Sequence, residues 1–269
     1  TIAATFASNH VAARLAFALD PATLEAIRAM APQITVVSPE RIAEEMRKML
    51  VHRGRAEAVR LLADTGLADV VLPECLSGGA AALQANLDVL GALVEPSFPT
   101  ALATLLAGRI NAAGAEAIGR RWRLSNFETD RTAWLAAHRD ALRAARGLPW
   151  SRLQRLLVAD GIGDLLAIDA AEARVGRVAA EDAAWRRSLL DRPREQLDPP
   201  PLLTGEDLKA HGLRPGPAFR ELLQRVRDAQ LDGEVRTKSE ALALVDRALA
   251  GAPLTPGSPG DGQTHEEAD

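Results

Sequence analysis

Tyrosine is absent from this chain, cysteine occurs once, lysine three times, and aromatic residues make up only 3% of its 269 positions. Each shortage excludes something. A single cysteine, Cys75, rules out a disulfide framework and a cysteine-based zinc cluster. It has no basic partner nearby in sequence, so inert burial is its default, and a reducing compartment is expected. No apolar run reaches the roughly 18 residues that a membrane span needs, and no basic segment leads into an apolar one as in a secretory signal. A cytoplasmic protein with no membrane partner is therefore expected. The chain begins at Thr1, as a fragment or processed product would. Aromatic and β-branched residues are sparse beside Ala and Leu, which favours helix over sheet.

With Lys48, Lys209 and Lys238 the only lysines, 29 of the 32 basic residues are arginine. A GC-rich genome produces such a bias; phosphate-binding forks are the alternative reading. The formal net charge of −4 comes from the C-terminus, where Asp261, Glu266, Glu267 and Asp269 stand without a single Lys or Arg. Residues 1–108 carry eight basic and eleven acidic residues, whereas 109–155 carry ten basic and four acidic. An Arg-rich stretch lies within a neutral body.

Helix signals are dense. Asp20-Pro21 and Ser38-Pro39-Glu40 each place a cap and an N1 proline before an apolar-periodic run, and Ile42, Met46 and Met49 or Leu50 share a stripe. Gly66 ends a helix. Gly78-Gly79 precede another over roughly 80–94, which Pro96 and Pro99 break. Helices follow through LATLLA and AAGAEAIGRRWRL. Ser125 and Glu128 form a capping box that opens a long helix to about Arg146, with Trp134, Leu135, His138 and Leu142 near one face; Gly147 and Pro149 stop it. Two or three more helices run to about Leu190. RPREQLDPPPLL is a proline-rich boundary. The remaining helices lie within 204–250, where Thr237 and Glu240 form another capping box. No strand pair and no fixed-period repeat is evident. The expectation is an all-α chain of ten to twelve helices: an N-terminal segment over 1–50, a helical body over 51–200, a tail over 201–250 and a disordered acidic run over 251–269.

Enzyme constellations are mostly missing. There is no GxGxxG after a strand, no P-loop and no GxSxG. His10, His52, His138, His211 and His265 are scattered, without an HxxxH pair. His138 reads as a packed histidine before it reads as a ligand. Glu44 and Glu45 point about 100° apart on a helix and do not readily share a metal. No catalytic, nucleotide-binding or metal residue is assigned.

Two features point to an anionic partner. Arg120, Arg121 and Arg123, then Arg131, Arg139, Arg143 and Arg146, form the basic stretch; 139, 143 and 146 follow i, i+4, i+7 spacing and are expected on one helix face. Phosphate contact and a solvated face are both open readings. In AHGLRPGPAF, Gly212 caps one helix and Pro215 opens the next, so the amides of Gly216 and Ala218 face outward as an anion site; a plain helical corner is the alternative.

FALDPATLEAIRAMAPQITVVSPERIAEEMRKML resembles the RNA-binding neck of bacterial class II tRNA nucleotidyltransferases, the CCA-adding enzymes, and poly(A) polymerases. The family phrases are matched by Phe17, Leu19, Pro21 and Thr23, then by Ser38, Glu40, Arg41, Ile42, Glu45, Lys48 and Leu50. Leu62, Gly66, Leu67, Pro73 and Glu74 match a third phrase. Leu202, Leu203, Thr204, Gly205, Asp207, Leu208, Gly212, Leu213, Pro215, Gly216 and Pro217 match a fourth. The resemblance covers roughly residues 11–250. It implies an enzyme that adds CCA or A to tRNA 3′ ends using ATP, CTP and two Mg²⁺, with the chemistry in an α/β head that precedes the neck. The head's glycine-rich turn and D-x-D carboxylate pair do not occur here. The helix that selects the nucleotide is matched at Arg14 alone, while Thr1, Ala4, Ala7 and His10 stand where the family has an aspartate and three arginines.

The resemblance thus implies a neck, body and tail that dock the tRNA acceptor arm and elbow, with no catalysis on this chain alone and no cofactor held by it. The expected RNA contacts are Arg120, Arg121, Arg123, Arg139, Arg143 and Arg146, with the Gly216 turn as a second contact. Glu40 and Arg41 are assigned to bracing the neck helix. The alternative is a non-catalytic helical module that binds RNA or a partner, either a degenerate paralogue or a subunit that completes a separately encoded catalytic head.

Overall fold

Prolines and capping side chains set where this chain turns helical. The computed structural model describes residues 21–251, which form fifteen α-helices and four short 3-10 segments; no strand occurs among the described residues. Twelve of the fifteen have eight residues or more, and the three short ones account for the excess over the expected number. The matched residues Arg14, Phe17 and Leu19, the Asp20 cap and the acidic run after Gly251 lie outside the described residues. None of the described helices is long and apolar enough to cross a membrane.

The described chain forms two compact units, the first holding residues 21–148 and 153–198, the second 149–152 and 199–251. In the first unit, α1 (Pro21–Met30) runs into a 3-10 turn, Ala31–Val36. There follow α2 (Pro39–Val51), α3 (Arg55–Asp64), α4 (Leu67–Val71) and a 3-10 turn at Pro73–Leu76. Next come α5 (Gly79–Ala92), α6 (Phe98–Leu105), α7 (Ala112–Trp122) and α8 (Asn126–Arg143). A 3-10 turn at Ala145–Gly147 leads to α9 (Trp150–Leu157), whose first residues belong to the second unit, then α10 (Ile162–Arg174), α11 (Ala180–Ser188) and α12 (Arg194–Leu197). The second unit adds α13 (Gly205–Ala210), α14 (Pro217–Leu231) and α15 (Lys238–Gly251).

Helix α6 stands at the centre of the first unit, and every one of its residues is buried. FPTALATL suits this position because it is apolar on all sides, as a helix enclosed by others must be. Its polar groups are satisfied locally: Thr104 Oγ1 donates to the Thr100 carbonyl at 2.7 Å and Thr100 Oγ1 to Asp164 at 2.8 Å. Asn86 of α5 donates to the carbonyls of Leu105 and Ala107 at 2.9 and 3.0 Å, closing the C-terminal end of α6. Pro99, expected as a breaker, sits in the first turn of α6, where its missing N–H costs nothing. One continuous core runs from Ile27 to Ala171 and includes the expected Met46, Met49 and Leu50 stripe of α2. Residues 27–50 therefore share one core with the helices that follow.

Two glycines are required by geometry. Gly66 adopts φ +71 between α3 and α4, a left-handed turn that glycine enters freely. Gly119 of α7 lies against Thr129 of α8, where a Cβ would run into the threonine side chain. The second unit has a smaller core of Leu203, Leu208, Leu222, Val226, Ala241 and Val245.

Candidate nucleic-acid interface

The expected RNA contacts begin at the corner between α7 and α8. Helix α7 ends on Arg123, which adopts φ +51, and the Leu124 amide donates back to the Gly119 carbonyl at 2.9 Å. Ser125 then opens α8 with both halves of the expected capping box in place. This tight reversal puts Arg120, Arg121 and Arg123 at one corner, and carboxylates from other elements meet two of them. Arg121 forms a two-pronged pair with Glu74 at 2.7 and 2.8 Å. Arg123 pairs with Glu40 of α2, the residue expected to brace the neck. Arg120 reaches only Glu116, at 3.8 Å, and its side chain is 73% exposed. The corner is thus a partly neutralised brace, with Arg120 and Arg123 still in water.

Behind it, Arg47 of α2 grips Glu128 of α8 through two contacts at 2.6 and 2.9 Å and lies over the Phe98 ring. The Arg47 guanidinium, together with the Ser125 groups, holds the Glu128 carboxyl down at about 2, against an ordinary value of 4.5. Ionised Glu128 therefore contributes its full stability above about pH 4.5, and that contribution disappears as pH falls toward 2. Glu128→Gln is expected to cost roughly 1–2 kcal/mol at neutral pH, as loss of a charged hydrogen bond does. It is also expected to flatten the stability profile between those two pH values. Urea titrations at pH 7, 4 and 3 check this; an unchanged acid slope contradicts it.

The single basic face expected for Arg139, Arg143 and Arg146 does not form. Helix α8 stops at Arg143, three residues short of expectation, because the chain tightens into the Ala145–Gly147 turn before extended Leu148 and Pro149. Arg139 turns inward, only 15% exposed, and pairs with Glu172 of α10, itself 1% exposed. Arg143 donates to the same carboxylate at 2.7 Å. Burial, reinforced by the neighbouring cations Arg143 and Arg177, pulls the Arg139 guanidinium down to about 10. Helix spacing gave the right register, but a buried carboxylate on another helix claimed the inner two arginines. Arg146, in the 3-10 turn, stays at the surface beside Asp182 and Trp185 of α11.

In the second unit, α14 begins at Pro217 with Gly216 as its N-cap, two residues later than expected from Pro215. Gly216 is extended, a conformation open to any residue, and stands at the N-terminus of this helix. It does border a cleft of about 770 Å³ with Leu203, Phe219 and Leu223 among its apolar lining and Thr204, Arg220 and Gln224 among its polar lining.

Other expectations resolve simply. His138 stacks on Trp134 with ring centroids 4.5 Å apart, and its Nδ1 lies 2.8 Å from the Trp134 carbonyl, a packed histidine. Cys75 is buried, and burial pushes its thiol up to about 11, well outside the reactive range. Among the described residues no group of three His, Cys, Asp or Glu side chains is placed to hold a metal ion. Sequence reasoning missed Glu74, Glu172, Asp182 and Trp185 as partners, because each meets its arginine from 29 or more positions away with no local signal.

Comparison with known proteins agrees with this architecture. Residues 16–77 match the family described as "Probable RNA and SrmB- binding site of polymerase A". The A-adding tRNA nucleotidyltransferase of Deinococcus radiodurans is 30% identical, over 91% of this chain and 67% of its own. The CC-adding tRNA nucleotidyltransferase of Thermus thermophilus is 29% identical, over 88% of this chain and 64% of its own. The solved Thermotoga maritima CCA-adding enzyme, complexed with tRNA, shares the fold with a TM-score of 0.56 at 16% identity, over 92% of this chain and 61% of its own. The chain thus spans about two thirds of the length of these relatives. Its helical fold, its neck phrase and its match to two enzymes along nearly its whole length place it in the tRNA nucleotidyltransferase family.

Proposed function

We propose that this chain is the tRNA-docking portion of a tRNA nucleotidyltransferase, working in the cytoplasm on the acceptor arm and elbow of tRNA. One observation carries the reading. The two relatives are named for adding different nucleotides, yet they match this chain equally well, at 30% and 29% identity. What they share with it is therefore separate from nucleotide choice and suits the part of the reaction they have in common, holding a tRNA. Nucleotidyl transfer itself needs carboxylates that hold metal ions and neutralise the triphosphate. The reading assigns that step to a catalytic head, on the same protein or separately encoded.

An RNA duplex is recognised by shape and by its phosphates, which an array of exposed arginines on rigid helices suits. Arg120, Arg123 and Arg146 are the most exposed members of the expected set. Arg143 lies nearer the surface than Arg139, but Glu172 holds both. The cleft beside Gly216, with Arg220 on it, supplies the second contact.

The test is tRNA binding by the chain over a salt series. Affinity is expected to fall linearly on a log–log plot as salt rises. Arg120→Ala with Arg123→Asn is expected to weaken binding roughly tenfold and to make the slope shallower by about two. Asparagine is chosen at 123 because it tolerates the left-handed backbone there. Binding that ignores salt, or a double variant that binds as the parent does, overturns the reading.

A further inference from the structure

We infer that Arg146, held in place by Asp182 and Trp185, is a preformed receptor for one phosphodiester group of an RNA backbone. The inference rests on the docking reading and adds the residue and the geometry.

Arg146 lies in the Ala145–Gly147 turn that follows α8, and its side chain is 59% exposed. Its Nε and Nη2 both donate to Asp182 Oδ1, at 3.0 and 2.8 Å. Its guanidinium carbon lies 4.2 Å from the centre of the Trp185 ring. Asp182 and Trp185 are three residues apart on α11, so they rise from one side of that helix. The carboxylate holds the side edge of the guanidinium and the indole covers one face. The end-on edge, formed by the outer N–H groups of Nη1 and Nη2, meets no acceptor among the described residues.

That open edge is a planar two-donor fork, and it matches the two non-bridging oxygens of a phosphodiester. An exposed arginine ordinarily loses much side-chain freedom on gripping a phosphate. Here the ordering is already made by the fold, through one charged hydrogen-bond pair and one cation–π contact.

The other arginines of the set differ. Arg121 spends Nη1 and Nη2 on Glu74, so its end-on edge is closed. Arg139 turns inward onto Glu172. Arg120 is open but loosely held, with its nearest carboxylate 3.8 Å away. Arg146 is both held and open. Asp182 and Trp185 are positioning residues under this inference, because neither needs to touch the RNA.

The experiment measures tRNA affinity of the full chain at one fixed, low salt concentration for Arg146→Lys, Trp185→Ala, Trp185→Phe and Asp182→Asn. Arg146→Lys keeps the charge and loses the fork, and binding is expected to weaken about fivefold or more. Trp185→Ala is expected to weaken it similarly, while Trp185→Phe, which retains an aromatic face, stays close to the parent. Asp182→Asn separates the explanations most sharply. Simple charge attraction expects tighter binding when a carboxylate is removed beside the RNA. A held fork expects weaker binding, because the guanidinium is released.

Tighter binding by Asp182→Asn, or parent-like binding by Arg146→Lys, overturns the inference while leaving the docking reading intact. No binding by the parent chain overturns both. Arg146→Lys changes an exposed side chain outside the core, so it decides the matter even where Trp185→Ala unfolds.

Discussion

Arg55→Ala is expected to lower the stability of the first unit by about 3–5 kcal/mol, among the largest effects of any single substitution. Arg55 is the first residue of α3, and only 3% of it is exposed. Among the described residues no carboxylate answers its charge. Its Nε donates to the Leu50 carbonyl at 3.0 Å and Nη2 to Val51 at 3.3 Å, both at the C-terminal end of α2. Its Nη1 reaches Leu90 and Leu93 at 3.3 and 2.9 Å, at the C-terminal end of α5.

Helix C-termini leave carbonyls without internal partners and carry the negative end of the helix dipole. One buried cation therefore satisfies two helix ends at once. Burial alone pulls the guanidinium below its ordinary value, the direction expected for a charge removed from water. Alanine would take a donor from the Leu50, Val51 and Leu93 carbonyls and open a void, and each part of that loss is costly in a dry site. Lysine keeps the charge but has one compact ammonium in place of a fork, so Arg55→Lys is expected to recover about half of the loss. Urea unfolding followed by circular dichroism measures both, and a loss under 1 kcal/mol for alanine contradicts the assignment.

The second large effect is expected at Asp169. Its carboxylate pairs with Arg186 through two contacts of 2.8 Å each, and both side chains are only 4% exposed. The pair ties α10 to α11, the helix that carries Asp182 and Trp185. Removing one partner of such a pair strands a buried charge, so Asp169→Ala is expected to cost about 3–5 kcal/mol. The pair itself is a weak net stabiliser, because both ions have given up hydration. Asp169→Leu combined with Arg186→Met is therefore expected to lie within about 1–2 kcal/mol of the parent. A double-mutant cycle in urea provides the measurement. If the single and double variants lose the same stability, the pair is not acting as a buried charge couple. Loss of the α10–α11 tie should also weaken RNA binding, since the Arg146 fork leans on α11.

Much of the fold was legible from local chemistry. Ser125 with Glu128, and Thr237 with Glu240, were readable as helix starts because a capping box needs only residues three apart, and both halves of each box form. The stripe of Met46, Met49 and Leu50 was readable from its period and is fully buried. Where local reading went astray, a neighbouring residue overrode it. Pro99 looks like a breaker after Pro96, yet Ser97 caps the next helix and makes Pro99 part of its first turn. Pro215 looks like a helix start, but Pro217 takes that place with Gly216 as its cap.

The candidate interface was less legible, for a different reason. Arg139, Arg143 and Arg146 share the spacing of one helix face, and the sequence shows seven basic side chains crowded into 120–146. Composition reveals where arginines are dense and not which ones face water. Glu172 takes Arg139 and Arg143, Glu74 takes Arg121, and Asp182 with Trp185 takes Arg146. Each partner comes from another helix or turn.

By itself, then, the sequence determined that this chain is all-helical, where most helices begin, and which family its phrases belong to. Those properties arise from propensity, capping and periodicity, which act over three or four residues. Only the tertiary structure decided that Arg55 closes two helices, that Arg139 turns inward onto Glu172 and that Arg146 is held with one edge open. Charge pairing and burial join side chains dozens of positions apart, and packing of the helices alone brings them together.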